Sequence, residues 1–156
     1  MVMRQRVSIG IAVVAALAAL AYLYDPPWLV SQATGLRGWE QRGDGPRYRW
    51  SAGHASFFVP ADAGTIDVPV STTFGPEDAR PMMVTVSVDD RFAARVVLTD
   101  EAWTRVTITL PPPGRRKVRR IDVRTNITRA DNHGVRIGDV VRRPKMAAKL
   151  LRFDGG

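Results

Sequence analysis

Few side chains in this 156-residue chain could do acid–base, nucleophilic or metal chemistry. It has two histidines, His54 and His133, no cysteine, and carboxylates paired at Glu77-Asp78, Asp89-Asp90 and Asp100-Glu101. A glycosidase needs two carboxylates facing each other across a cleft. Neighbours on a strand point to opposite faces, and neighbours in a turn face water, so the three pairs read as solvated loop charges. His54 lies beside Phe57 and Phe58 in a strand-like stretch and reads as a structural or surface histidine. Nothing resembles a nucleophile elbow. Without cysteine there is no thiol nucleophile or soft metal ligand. No ligand spacing singles out a metal, so no catalytic residue, metal site or cofactor is expected.

Aromatic rings among polar side chains offer a different chemistry. Sugar-binding surfaces set a ring plane against the apolar face of a pyranose and surround it with Asp, Asn and Arg that reach the hydroxyls. Trp50 and Trp103 lie in or beside candidate strands, where large aromatics fill a core. That leaves Trp39, Tyr48, Asp131, Asn132, His133 and Arg136 as candidate carbohydrate contacts. Turn chemistry alone also favours Asp, Asn and Gly over residues 131–136.

The elements that would carry these residues are strands. Candidates run over residues 48–50, 54–59, 65–71, 83–88, 92–98, 105–110, 118–125 and 135–140. Val84, Val86 and Val88 alternate with Thr85 and Ser87, and Val106, Ile108 and Leu110 with Thr107 and Thr109. Asp89-Asp90 between two such runs signals a tight hairpin, although glycine would be the favoured second residue. Pro60, Gly64, Gly75-Pro76, Pro111-Pro112-Pro113-Gly114 and Asn132-His133-Gly134 punctuate the rest. Short strands without intervening helix patterns predict an all-β antiparallel sandwich of the jelly-roll or immunoglobulin-like kind. A parallel α/β fold is excluded, because nothing supplies crossover helices.

Some of these residues resemble a known group. The order Gly38-Trp39-Glu40, Tyr48-Arg49-Trp50 and a strand ending at Pro60 looks like the opening of β-sandwich modules of bacterial membrane and cell-surface glycan proteins. Such modules often occur as appendages of sugar-transferring enzymes. Residues 84–110, with their Val-Asp-Asp-Arg hairpin and Trp103, and residues 129–140, with Arg136-Ile137-Gly138, are similar too. The resemblance covers roughly residues 35–141 and consists of short degenerate patterns. Related modules often carry an Asp-Arg-Arg-Leu-Gly-like turn before the last strand, whereas this chain has Asp131-Asn132-His133-Gly134-Val135-Arg136-Ile137-Gly138. The resemblance implies a galactose-binding-like jelly roll near envelope polysaccharide.

The start of the chain places that domain. Residues 7–24 form an uncharged, apolar run after Arg4 and Arg6, long enough to cross a bilayer as a helix. Arginines on the N-terminal side alone predict residues 1–6 in the cytoplasm and the rest outside it, a single-pass inner-membrane topology. A secretory signal begins the same way. Its cleavage sites would be Ala16-Leu17-Ala18, inside the run, or Ala19-Leu20-Ala21, after a short apolar core. Tyr22, Tyr24 and Trp28 look instead like an aromatic belt at the outer headgroups, so a retained anchor is preferred. In either case the domain leaves the cytoplasm.

Organisation and charge complete the reading. Residues 25–47 are expected to be a linker and entry loop, 48–141 the sandwich, and 142–156 a basic amphipathic tail. In that tail Met146, Leu150 and Phe153 fall at helical spacing. Lys145, Lys149 and Arg152 would join Arg4, Arg6, Tyr22, Tyr24 and Trp28 as membrane contacts. Removing the basic residues of the two ends leaves 16 basic against 14 acidic residues in the body, so no nucleic-acid footprint is expected. With no cysteine, a hydrophobic core and not a disulfide framework must hold the exported domain together. Twenty arginines against three lysines suggest a GC-rich bacterial coding sequence. Two functions stand. The first is a noncatalytic membrane-anchored accessory module of the bacterial cell envelope, contacting membrane lipid and either a glycan or a glycan-handling membrane protein. The second is a small envelope carbohydrate-active enzyme.

Overall fold

The computed structural model describes the backbone of residues 2–8 and, in full, residues 9–74, 80–129 and 133–144. The expected amphipathic helix in the tail, with Lys145, Lys149 and Arg152, lies outside these residues. So do the Glu77-Asp78 pair, Asp131 and Asn132, and the side chains of Arg4 and Arg6.

The apolar N-terminal run forms helix α1 (Val2–Tyr24), followed by a short 3₁₀ turn (Pro27–Ser31). A 23-residue helix is about 35 Å long. It is long and apolar enough to cross a membrane by length and composition. Ile11, Val14, Leu17, Leu20 and Leu23 stay exposed, so the domain does not cover this surface. The helix exit is tied to the domain instead. Pro26 is buried, and the Lys117 backbone N–H donates to Asp25 Oδ2 at 2.7 Å.

The rest is antiparallel β: β1 (Ala33–Gln41), β2 (Arg47–Pro60), β3 (Ala63–Ser71), β4 (Met82–Val88), β5 (Arg91–Leu98), β6 (Thr104–Thr109), β7 (Val118–Thr125), β8 (Arg136–Gly138) and β9 (Val141–Pro144). The hydrogen-bonded order is β5-β4-β7-β2-β8-β3-β6, with β1 on β2 and β9 on β3. Along one edge of β2, His54–Pro60 pair with β7, while Tyr48–Trp50 pair with β8. The strand therefore belongs to both layers of a sandwich, β5-β4-β7-β2 and β2-β8-β3-β6. From β2 to β8, every connection except the β4–β5 hairpin crosses between layers, as in a jelly roll. Val84, Val86, Ile121 and Val123 of the first layer and Ile66, Val68, Ile108 and Ile137 of the second form one buried cluster. The alternation of β4 and β6 is thus the inward face of each layer.

The division of β2 is managed at Ser51, Gly53 and Gly134. Ser51 is fully buried. Its N–H donates to Val135 O, its carbonyl accepts from Gly134 N, and its Oγ accepts from Val135 N. Gly53 sits at φ 82°, where the strand bends. Sequence patterning broke this element into two strands at that glycine, whereas β1 pairing along the other edge keeps it continuous. β1 itself corrects the expected entry loop. Its pattern is disguised by Gly38 and by Gly35, which adopts φ 67° where a Cβ would meet His54 O at 2.0 Å. Residues 135–140 likewise are not one strand. β8 and β9 share one edge of β3, with a break at Asp139-Val140. The tail assigned from residue 142 thus begins inside β9.

The Asp89-Asp90 hairpin forms as expected, with φ 48° and 67° at the two aspartates. Aspartate replaces the favoured glycine because both carboxylates are used. Asp89 accepts from Arg119 Nη1 at 2.7 Å and from Arg120 N at 3.0 Å, and Asp90 accepts from the Arg120 guanidinium. These acids are paired with β7, which revises their reading as merely solvated.

At Gly134 a Cβ would lie 2.8 Å from Ser51 Oγ and 2.9 Å from Gly53 N. Gly134→Ala is expected to destabilise the domain by roughly 1–3 kcal/mol through overpacking, read as a lowered thermal midpoint. An unchanged midpoint would show that the β2 seam has slack.

Candidate functional site

Two clusters of chemistry-bearing side chains lie on the second layer, and they differ in what they leave open. In β2, Tyr48 and Trp50 alternate with Arg47, Arg49 and Ser51. Tyr48 and Trp50 turn to the outer face and pack edge to face with centroids 5.9 Å apart. Trp103 lies 6.2 Å from Tyr48, over Gly138, where a Cβ would come within 3.4 Å of it and 3.2 Å of Pro69. Into this group β8 inserts Arg136. Its guanidinium carbon is 5.6 to 5.8 Å from the rings of Tyr48, Trp50 and Trp103. Arg136 Nη2 donates to Ser71 Oγ at 2.8 Å and to Thr72 O at 2.7 Å, and Glu101 Oε2 is 3.6 Å away. Only 7% of Arg136 is exposed. A cation enclosed by ring faces and hydrogen-bonded to the backbone is an internal fastener.

This placement sorts the candidate contacts. Tyr48 and Arg136 are buried and offer a ligand little surface in this arrangement. Sequence reveals their types but not which face of the strand they occupy. His133 stacks on Trp50 with centroids 4.6 Å apart, and Trp50 Nε1 donates to Glu40 Oε2 at 3.2 Å. The packing role assigned to Trp50 and Trp103 is what the structure has.

Trp39 is different. It sits on β1 opposite Arg49, is 45% exposed, and lies 4.9 Å and 5.5 Å from the guanidinium carbons of Arg47 and Arg49. Arg49 is held by its Nε bond to Arg37 O at 2.7 Å. Beside the indole runs a groove of about 180 Å³, lined among others by Gln32, Leu36, Arg49, Phe57, Asp139 and Val140. An exposed ring, an apolar floor and flanking Arg, Asp and Gln can take the apolar face of a pyranose and hydrogen-bond its rim. Sequence reading found Trp39 and missed Arg47, Arg49, Gln32 and Asp139. The alternation Arg47/Tyr48/Arg49/Trp50 was the available signal, but it needed β1 recognised as a strand to become a site.

The exposed face of the first layer holds a serine, a histidine and an aspartate. His54 Nε2 is 3.2 Å from Asp122 Oδ1, and Ser56 Oγ donates to that same oxygen at 2.5 Å. Arg120 Nε donates to Asp122 Oδ2 at 2.9 Å. A catalytic triad runs from serine to histidine to aspartate. Here Ser56 Oγ lies 3.4 Å from the same His54 Nε2 that faces Asp122, whereas a triad uses opposite ring nitrogens for serine and aspartate. The hydroxyl itself donates to the carboxylate, so Asp122 is a hub that ties β2 to β7. Burial of Asp122 raises its pKa, but the hydrogen bonds from Ser56, Arg120 and His54 outweigh that and hold it below the ordinary carboxylate value. Asp67 on β3, 1% exposed, is lowered too, first by the Thr107 hydroxyl and then by Arg143 of β9. Among the described residues no three His, Asp or Glu side chains converge as a metal site. Tyr22, Tyr24 and Trp28 are all exposed around the helix exit.

No family model matches this sequence, and no curated protein matches it. Solved structures with similar folds include a salicylyl-acyltransferase from a tetracycline biosynthetic pathway (16% identity, TM-score 0.47, 72% of this chain and 36% of that one). Another is a family two carbohydrate esterase from Clostridium thermocellum in complex with cellohexaose (8%, TM-score 0.46, 76% and 34%). A third is a family 35 carbohydrate binding module from an environmental isolate (13%, TM-score 0.45, 70% and 86%). This chain thus spans about a third of the first two. Likenesses of this size carry neither a ligand nor an activity across.

Because the folded pKa values of Asp67 and Asp122 lie below their unfolded ones, the stability they add is present above the ordinary value of 3.8. It is lost as pH falls through the folded values. The thermal midpoint should therefore fall on acidification below about pH 4, and Asp122→Asn should be less stable at neutral pH with a flatter acid limb. An acid limb of identical shape in the variant would remove Asp122 from that role.

Proposed function

We propose that this chain is a noncatalytic saccharide-contacting module of the bacterial cell envelope. On this reading α1 is retained in the inner membrane and the sandwich stands on its extracytoplasmic side. The observation that carries the reading is the Trp39 groove, an exposed indole beside a monosaccharide-sized cleft whose rim supplies Arg49, Gln32 and Asp139. Asp139 is the carboxylate among the residues lining that groove. Hydrolysis of a glycosidic bond uses two facing carboxylates, so the lining favours binding over catalysis. The exposed apolar length of α1 and the aromatic residues at its exit support membrane attachment.

Glycan-array binding by the full chain in detergent, beside Trp39→Ala, tests the proposal. Loss of the ring should weaken saccharide binding about tenfold or more, equivalent to roughly 1.4 kcal/mol, with an unchanged thermal midpoint. A silent array combined with recovery of a membrane protein from the full-length bait would replace the glycan with a protein partner. Bound glycan insensitive to Trp39→Ala would move the site elsewhere.

A further inference from the structure

The β6–β7 connection, Pro111-Pro112-Pro113-Gly114-Arg115-Arg116-Lys117, folds against the point where α1 ends. Lys117 N donates to Asp25 Oδ2 at 2.7 Å, and the Arg116 guanidinium carbon lies 5.5 Å from the Tyr24 ring centroid. Between the connection and the helix exit is a cleft of about 500 Å³, lined by the rings and side chains of Tyr24, Leu29 and Phe58 and by Arg115 and Arg116. The cleft is lined as well by Arg119 and Arg120 and by two carboxylates, Asp89 and Asp90; these four charges are matched among themselves, with Asp122 as a further partner of Arg120. Arg115, Arg116 and Lys117 are exposed, and among the described residues no carboxylate forms an ion pair with their side chains. Two unmatched cations, Arg115 and Arg116, therefore line the same cleft as apolar side chains, with Lys117 next in the chain, on a segment that three successive prolines stiffen.

We propose that this turn is a docking surface for the phosphate of an anionic phospholipid in the bilayer that α1 crosses. The inference rests on the reading of α1 as a retained anchor. With Tyr22, Tyr24 and Trp28 at the headgroups, the bond from Lys117 to Asp25 sets residues 115–117 at the same depth. Guanidinium groups take phosphate oxygens through paired hydrogen bonds, while Tyr24, Leu29 and Phe58 suit the start of the acyl region. Lipid bound there would resist tilting of the domain on its helix. Phe58 lines both this cleft and the Trp39 groove, so the same contact would set the height of the groove above the bilayer.

The test reconstitutes the full chain into nanodiscs of phosphatidylcholine with one-fifth phosphatidylglycerol, extracts it in mild detergent and measures the retained lipids by native mass spectrometry. Wild-type chain should retain phosphatidylglycerol over phosphatidylcholine by tenfold or more at low salt, since each cation near a charged surface contributes about fivefold. The excess should shrink as salt rises. The triple variant Arg115→Gln, Arg116→Gln, Lys117→Gln should lose it with no change in thermal midpoint. Equal phosphatidylglycerol retention by wild type and variant overturns the lipid site. So does displacement of the lipid by millimolar inorganic phosphate, which would make this a soluble-anion site. Release of the wild-type chain from membranes by a carbonate wash overturns the anchor as well, so the two failures are told apart. The glycan reading is judged separately through Trp39.

Discussion

A β-strand has two edges, and every backbone amide and carbonyl along them must find a partner once buried. β2 meets that demand by dividing one edge between β7 and β8, and so belongs to both layers of the sandwich. At the point of division no strand lies along that edge. Ser51 covers the gap by bonding Gly134 and Val135 through its N–H, its carbonyl and its hydroxyl. Gly53 supplies the bend, and Gly134 supplies the close approach. The facing of the two layers, and with it the position of every side chain around Trp39, depends on this seam.

Outside the hydrophobic core, buried charged groups tie strand to strand. Asp122 binds β2 to β7, Asp67 joins β3 to β6 and β9, and Arg136 fastens β8 to β3 beneath three aromatic rings. Each buried charge is desolvated, which is unfavourable, and each is offset by several directed hydrogen bonds. Such groups add little net stability over an apolar substitute but penalise misregistered strand pairings, which would leave a buried charge without partners. That restriction matters in a sheet whose strands join mostly through crossing connections.

The inward faces were readable from sequence where alternation is uninterrupted, as in Val84, Val86 and Val88 or Val106, Ile108 and Leu110, all of which are buried. The Asp89-Asp90 turn was readable for the same reason, since hairpin chemistry is local. β1 was not, because Gly35 and Gly38 interrupt its pattern and its pairing to a bent β2 shifts register twice. Tyr48 and Arg136 have the side-chain types of a sugar site and are buried, because identity along a chain says nothing of which layer covers a given face. Trp39 was legible as an aromatic in an unusual setting. Its arginine neighbours were not, because they come from the strand opposite.

The bond between Asp25 and the Lys117 amide bears on how strongly this protein needs to bind anything at all. A domain on a loose tether sweeps a hemisphere, whereas one braced at the helix exit keeps its surfaces within a thin slab above the lipid. On the proposed topology, a partner rooted in the same bilayer meets that slab by lateral diffusion alone, with the search confined to two dimensions. Under such confinement a shallow groove with modest intrinsic affinity is occupied for much of the time. It can still exchange its ligand quickly, a combination that a deep, tight pocket would forfeit.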